Sequence, residues 1–597
     1  KLIYNDHTSL YLIDDIHFMA GSAKDISRYE IAVFNETYSF RGQHLSLLLF
    51  NFLLIGILEL IFIVITNRVR LGTDIWAFIC VMFNIVNHFV YEFRGTPAMA
   101  SDIATVGTAL EVADGYKIQF NFYTTVALVM LFDFIMLGRV IKCEPVFKKV
   151  SHRLCGIAVM AIVSVTGFSQ LVMTDMVSNR GLYLSLFNPM RSYQQYGSIA
   201  CFTRSIKLSV PEKPNGYSLK KVEEITSKYT SDTVDPNKKR PNVIAVINEA
   251  FSDPQILGDI ETNEDYMPFI HDLMKNGNCV SGTTYASIVG GQTANTEYEF
   301  LTGNSMAFLQ GSIPYQQYIT RNGTYSIAQI LKTRGYHTMA IHPYDKRGYN
   351  RAQVYPKIGF ETFLDVSDFE NAELIRDRYI SDRDSYKKVI EEFEKIRQSG
   401  QPAFIFNVTM QNHSGYDTGC FTENAVRIPG DEGEFPNAEE YLTLIRESDV
   451  AIPMLIDYFS KIEDPTVIVF FGDHQPMVEE SFYETLEGKP LTEWTLAEAQ
   501  SRYIVPFFIW ANYEIDAEEN VFTSANFLSE LMFEKAGIKL LPYQEFLKSV
   551  REEIPAMDGS SWRDADGNWK VLDTSQPILE EYWRLQYRNM FDKKILY

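Results

Sequence analysis

The sequence lacks the patterns that mark several common protein classes. Its six cysteines (Cys80, Cys143, Cys155, Cys201, Cys279 and Cys420) form no CxxC pair and stand at no Cys/His ligand spacing, which excludes zinc-finger and thioredoxin-like readings. There is no dense Lys/Arg stripe and the formal charge is −22, so the basic face that binding to nucleic acid requires is missing. Internal repeats and low-complexity tracts are absent too. What remains is a chain of 597 residues, 46% hydrophobic, long enough for several domains.

A mean hydropathy of −0.11 conceals two unlike parts. Residues 1–180 hold 14 Lys/Arg against 15 Asp/Glu, which leaves 40 against 61 for residues 181–597, so the acidity belongs to the second part. The first part contains four apolar runs, Leu45–Thr66, Ile75–Tyr91, Tyr123–Val140 and Leu154–Thr174. Each is near the ~20 residues a helix needs to span a bilayer. Arg68 and Arg70 follow the first run, and Arg139, Lys142, Lys148, Lys149 and Arg153 lie between the third and fourth, which predicts that both loops are cytoplasmic. Residues 1–44, the 92–122 loop and everything after residue 174 then lie outside. Lys1 is not an initiator methionine, and an external start without a signal peptide predicts a fifth span upstream or a processed chain. Glu59, His88 and Asp133 are read as polar contacts in a helix bundle in preference to a proton path, and no paired discontinuous helices indicate a transporter. Gly181–Arg204 is expected to lie on the outer interface as an amphipathic helix. Lys207–Asn242 reads as a linker with one short helix near Leu219–Tyr229.

Residues 242–597 form the expected outer domain. Over 241–545, short β-rich runs alternate with helical stretches, the pattern of an α/β fold with a mostly parallel sheet. The runs Asn242–Asn248, His337–Ile341, Ala403–Val408 and Thr466–Phe471 are each followed by polar groups: Glu249; His342, Tyr344 and Asp345; Asn412 and His413; Asp473 and His474. Ligands bind at the carboxyl ends of such strands, so four strands are expected to deliver side chains to one crevice. Glu249, Asp473 and His474 give O, O and N donors suited to Mn²⁺, Zn²⁺ or Mg²⁺. Gly290-Gly291-Gln292-Thr293 precedes a predicted helix over Ala294–Leu301. Thr293 is there either a helix N-cap or, with a metal to lower its pKa, a nucleophile. An external Cys279–Cys420 disulfide is left open.

These motifs resemble the lipoteichoic acid synthase group of membrane-anchored phosphoglycerol transferases, within the alkaline phosphatase/sulfatase superfamily. The resemblance runs through RGTPAMASD (Arg94–Asp102), the passage Tyr196–Ser218, NVIAVINEAFSD (Asn242–Asp253), GGQTANTEYEFLTG (Gly290–Gly303), MQNHSGY (Met410–Tyr416), FGDHQP (Phe471–Pro476) and EYWRLQYRNMF (Glu581–Phe591). It implies one divalent metal, commonly manganese, on Glu249, Thr293, Asp473 and His474, with Thr293 as nucleophile. It also implies that His342, Tyr349, Arg351 and His413 surround the phosphoglycerol group, with Arg351 on phosphate oxygens and His413 on the bridging oxygen or as proton donor to the leaving group. Two positions depart from the family pattern: Gln292 stands where a Lys often precedes the nucleophile, and Tyr344 where the nearest synthases carry an Asp. Lys346 and Arg347 are expected to supply the missing positive charge. The activity implied is transfer of phosphoglycerol from phosphatidylglycerol, through Thr293, to a glycerol phosphate polymer, glycolipid or cell-surface glycan at the outer face of a bacterial cell membrane. A phosphoethanolamine transferase and a silent membrane sensor or scaffold are the alternatives.

Overall fold

The computed structural model describes residues 42–592 apart from 95–96, 106–120, 141–142, 174–191, 194–195, 209–210, 230–239, 310–311, 320–322, 417, 422–424 and 431–432. It divides into two compact units, with the main boundary at Val210–Pro211.

In the first unit all four apolar runs are helical: Gly42–Thr66, Val69–Arg94, Phe122–Gly138 and Val150–Phe168. Two stretches, Val69–Tyr91 and Val150–Phe168, are long and apolar enough to cross a membrane, whereas Phe50–Thr66 and Thr124–Gly138 are shorter. The lone charge of the first run, Glu59, accepts a hydrogen bond of 2.6 Å from the Thr73 hydroxyl of the next helix, a bundle contact. Of the expected interfacial helix, residues 181–191 lie outside the described residues. Its end belongs to a helix over Ser198–Leu208.

The second unit is built on an eight-stranded sheet. In chain order its strands are β1 (Asn242–Asn248), β2 (Val280–Tyr285), β3 (His337–Ile341), β4 (Thr362–Leu364), β7 (Ala403–Val408), β8 (Thr466–Gly472), β9 (Ile504–Ala511) and β10 (Glu518–Ser524). A separate hairpin pairs β5 (Leu374–Ile375) with β6 (Tyr379–Ile380). The sheet order is β10-β2-β9-β8-β1-β7-β3-β4, and β9 runs antiparallel to both its neighbours while all other pairs are parallel. The four runs singled out in the sequence are therefore the adjacent central strands β8, β1, β7 and β3, and their carboxyl ends share one edge. Both faces are covered: Val243, Ala245 and Ile247 enter one hydrophobic core, while Ile244 and Val246 enter the other. Burial on both sides explains why these strands read as continuous apolar runs without polar alternation.

One expectation needs correction, and one open question is answered. The segment after Pro211 is no free linker. Its helix, Leu219–Thr226, inserts Val222 and Ile225 into the sheet's core, and Tyr217 donates a 2.7 Å hydrogen bond to Asp592. The short amphipathic pattern there is a core-facing stripe. Cys279 and Cys420 are both free, the first buried and the second exposed, so no bridge joins them. The C-terminal helix Pro577–Phe591, which carries the EYWRLQYRNMF motif, grips the residues just after the Thr293 helix. Gln586 exchanges two hydrogen bonds with the Ser305 backbone, and the Tyr582 hydroxyl donates to the Gly303 carbonyl at 2.6 Å.

Candidate metal and phosphoryl site

The register of two strands builds the centre of the site. Asn248 of β1 is paired with Gly472 of β8, so the next residues, Glu249 and Asp473, leave the sheet side by side. Gly472 is required there, since a Cβ would lie 1.9 Å from the Phe251 carbonyl oxygen. Asp473 Oδ1 accepts from the Ala250 N–H at 2.7 Å, which ties the two strand ends together. Glu249, Asp473 and His474 are all buried and each offers a ligand atom within 4.8 Å of the others. His474 Nδ1 lies 2.9 Å from the Gln475 carbonyl, which only a protonated nitrogen can satisfy, so Nε2 is left with a lone pair. That Nε2 is 3.3 Å from Asp473 Oδ2 and 3.7 Å from Glu249 Oε1. Neither His474 Nε2 nor Asp473 Oδ2 has a hydrogen-bond partner, although both are buried. Two buried acceptor atoms without a donor, beside the Glu249 carboxylate, suit a cation, and the O, O, N set fits a divalent metal. Burial, and then the Asp473 charge, push the Glu249 carboxyl well above its ordinary pKa, as expected of carboxylates crowded together without a cation.

Thr293 joins this cluster. Gly290, Gly291 and Gln292 all have positive φ (70°, 144° and 68°), and Gln292, not Thr293, occupies the N-cap of the helix Thr293–Thr302. Thr293 is the first helical residue and its hydroxyl donates to Glu249 Oε2 at 3.3 Å, so the N-cap reading is corrected in favour of a hydroxyl aimed at the cluster. The loop is fastened to the same strand end: the Gly290 N–H donates to the Gln475 carbonyl at 3.0 Å, and the Thr296 hydroxyl to the Asp473 carbonyl at 2.9 Å. The Gln292 amide oxygen is 3.3 Å from the Asn295 side-chain nitrogen.

The remaining predicted residues fall into two groups. His342 and Arg351 are both buried and are bonded to each other, His342 Nε2 lying 3.2 Å from Arg351 Nη1, while His342 Nδ1 donates to the Val408 carbonyl at 2.9 Å. With both nitrogens engaged, and with burial and the Arg351 charge holding its pKa well below the usual range, His342 is a neutral support. Arg351 is bound to Glu297 Oε1 through Nε (3.0 Å) and Nη2 (2.6 Å), and the Tyr349 ring lies 5.2 Å beneath it. Burial opposes the guanidinium charge, but Glu297 outweighs it and keeps the group protonated. Glu297, missed in the sequence, lies one helical turn after Thr293 and therefore on the same face; the i, i+4 spacing in TANTE was the available signal.

Lys346 and Arg347 do not supply unopposed charge: Lys346 Nζ lies 3.4 Å from Asp365 Oδ2, and Arg347 forks onto Asp345. Burial, and then the Arg378 charge, push His413 down to about 3, so in this form it is a neutral imidazole, and of its two expected roles the hydrogen bond to a bridging oxygen suits it better than proton donation to a leaving group. Six of the nine non-glycine residues with positive φ among the described residues (Ala250, Gln292, Tyr349, Asn350, Arg376 and Asp377) lie in the segments around these side chains, where the surrounding contacts hold an unfavourable backbone.

With that geometry in place, comparison with known proteins identifies the class. Residues 241–538 match the Sulfatase family model, and the second unit is a sulfatase-type α/β domain of the alkaline phosphatase superfamily. Among individual proteins, the chain is 29% identical over 426 residues to the Rhizobium meliloti (strain 1021) protein named "Putative cyclic beta-1,2-glucan modification protein", a match covering 68% of this chain and 64% of that one. It is 26% identical over 272 residues to lipoteichoic acid synthase 1 of Bacillus subtilis (strain 168), covering 44% and 41% of the two chains. Both matches span less than two thirds of the relative's own length. The fold is shared with the Streptococcus pyogenes phosphoglycerol transferase GacH, solved in complex with sn-glycerol-1-phosphate, at a TM-score of 0.53 and 22% identity over 64% of this chain and 95% of that one.

Proposed function

We propose that the protein is a metal-dependent phosphoglycerol transferase that takes its group from phosphatidylglycerol, carries it on Thr293 and delivers it to a glycerol phosphate polymer, glycolipid or cell-surface glycan. The observation that carries this reading is the Thr293 hydroxyl, bonded to Glu249, beside two buried acceptor atoms, Asp473 Oδ2 and His474 Nε2, that lack a donor. The names of the relatives support a phosphoglycerol donor and a glycan acceptor. Glu249, Thr293, Asp473 and His474 would hold the metal, with Mn²⁺ the first choice and Mg²⁺ and Zn²⁺ as comparisons. A divalent metal supplies Lewis acidity toward a phosphoryl oxygen and lowers the pKa of a neighbouring hydroxyl.

In the first step Thr293 Oγ forms a bond to phosphorus and the bond from phosphorus to the diacylglycerol oxygen breaks. The Thr293 proton passes to Glu249, its hydrogen-bond partner, and the leaving alkoxide takes up a proton from solvent to depart as diacylglycerol. In the second step an acceptor hydroxyl attacks phosphorus and gives its proton to solvent, the bond to Thr293 Oγ breaks, and Thr293 takes back the proton held by Glu249. Arg351, fixed by Glu297, contributes a stationary positive charge behind the phosphoryl group, and His413 donates a hydrogen bond to the bridging oxygen. Multi-pass anchoring through the apolar helices of the first unit, with the catalytic unit at the outer face of a bacterial membrane, keeps the donor lipid at high local concentration.

The test presents the full chain, in liposomes, with phosphatidylglycerol or phosphatidylethanolamine labelled in the headgroup. Diacylglycerol release from phosphatidylglycerol, with a matching mass increase on the Thr293 peptide, is expected. Release at wild-type rate by Thr293→Ala would refute the covalent route. Turnover of phosphatidylethanolamine alone would reassign the donor, and neither metal nor turnover would make the protein a silent scaffold.

A further inference from the structure

The turn between β5 and β6 has a conformation its sequence does not favour. The Arg378 N–H donates to the Ile375 carbonyl at 3.2 Å, and the two central residues, Arg376 and Asp377, have φ of 56° and 51°. Such a turn normally carries Asn or Gly at those positions. Here an arginine accepts the conformation, and its side chain accounts for it. The Arg376 side chain is 3% exposed, and its guanidinium bonds three carbonyls of a single loop: Nη2 donates to His413 at 2.6 Å and Gln411 at 3.1 Å, and Nη1 to Gly415 at 3.1 Å. Glu440, 3.8 Å away, balances the charge, and the Tyr379 and Tyr416 rings lie 5.4 and 5.7 Å from the guanidinium carbon. The first residue after the turn reaches the same histidine: the Tyr379 hydroxyl is 3.2 Å from His413 Nδ1, with the rings 5.6 Å apart.

We propose that the β5–β6 hairpin is the positioning element of His413, with Arg376 fixing its backbone and the Tyr379 hydroxyl, as donor to Nδ1, fixing its neutral tautomer with the proton on Nε2. The reading rests on the transferase function above for its consequence, but not for its geometry. A buried arginine spends its charge on carbonyls, where it outbids water and fixes the loop in one arrangement. A hydroxyl donated to Nδ1 leaves Nε2–H as the ring's donor, which the Ser414 backbone or an incoming oxygen can accept. Arg376 and Tyr379 are positioning residues: each acts on substrate only through His413.

The experiment uses the full-length protein in detergent with ¹⁵N-labelled histidine. In the wild type the His413 ring is expected to show the Nε2-protonated neutral tautomer, assigned by its loss in His413→Gln. Tyr379→Phe, which keeps the ring and removes only the hydroxyl, is expected to convert it to a mixture of tautomers. Arg376→Lys is expected to shift the His413 signals while those of His342 stay in place; Arg376→Gln serves if the lysine variant does not fold. His413 signals unchanged in either folded variant, or an Nδ1-protonated wild type, would overturn the proposal. Turnover of phosphatidylglycerol, read in parallel, should show kcat reduced at least tenfold with KM within about twofold, and an equal rise in KM alone would assign Arg376 to substrate binding instead. Failure of the wild type to turn over any lipid refutes the transferase reading while the nuclear magnetic resonance result still decides the hairpin's role.

Discussion

Replacing Glu297 by Gln tests whether the Arg351 charge is held by one buried partner. The pair is 4% and 0% exposed, and Glu297 uses one oxygen for two bonds from Arg351 and the other for a 2.7 Å bond from the Tyr355 hydroxyl. Glutamine is the same size but has one acceptor oxygen where the carboxylate has two, so either Arg351 or Tyr355 faces an amide N–H, and the guanidinium loses its counter-charge. Breaking a buried pair on one side costs about 3–5 kcal/mol, and since glutamine retains one hydrogen bond the lower end, about 3 kcal/mol, applies. The control is Glu394→Gln: Glu394 pairs with Arg397 on the surface at 37% and 38% exposure and also accepts from the Tyr458 hydroxyl, a bond the glutamine oxygen can keep, so the expected loss is about 0–1 kcal/mol. Urea unfolding followed by tryptophan fluorescence reports on the second unit, which contains five of the six tryptophans. Adding Arg351→Met to Glu297→Gln should recover part of the lost stability, because the stranded charge is gone, while turnover stays low. Misplacing a phosphoryl-facing charge by about 1 Å is worth about 10²-fold in rate. Equal losses in Glu297→Gln and Glu394→Gln would refute the reasoning.

Chelation with EDTA should abolish turnover and lower the thermal midpoint, with Mn²⁺ restoring both, and Asp473→Asn or His474→Ala should not be restored at equal metal; unchanged activity after verified metal removal would refute the site. Gly472→Ala forces a Cβ against the Phe251 carbonyl and should cost about 1–3 kcal/mol together with measured metal content. His271 is raised to about 9, chiefly by its hydrogen bond to Asp253, with Asp265 2.9 Å from its other nitrogen. Because the folded value lies above the ordinary ~6.5, its contribution is complete below pH ~6.5 and is lost as pH rises through about 9. Partial exposure limits the size to ~1–3 kcal/mol. The stability difference between wild type and His271→Gln should therefore shrink from pH 6 to pH 10, and a constant difference would contradict the assignment.

Much of the second unit was legible in the sequence. Each of the four central strands is an apolar run followed within a few residues by polar groups, and that local pattern is enough to place Glu249, His342, His413, Asp473 and His474 just beyond strand ends. The glycine pair before Thr293 announced a turn into a helix. Other readings failed because the deciding partner lies far away in the chain. Lys346 looks like a free cation until Asp365 is placed against it, whereas the partner of Arg347, Asp345, stands two residues away and was open to a local reading. The segment after Pro211 reads as a linker because two buried side chains on a short helix carry little signal without the core they enter.

The sequence by itself determined the strand ends, the nucleophile candidate and the donor atoms for a metal, because these depend on residue type and on periodicity within a few residues. Tertiary structure decided which acceptor atoms face one another unpaired, that Arg351 is bound to Glu297, and that a hairpin nearly forty residues before His413 holds it. Those outcomes follow from tertiary packing, which brings together side chains separated by 34 to more than 200 positions, and no local pattern encodes that proximity.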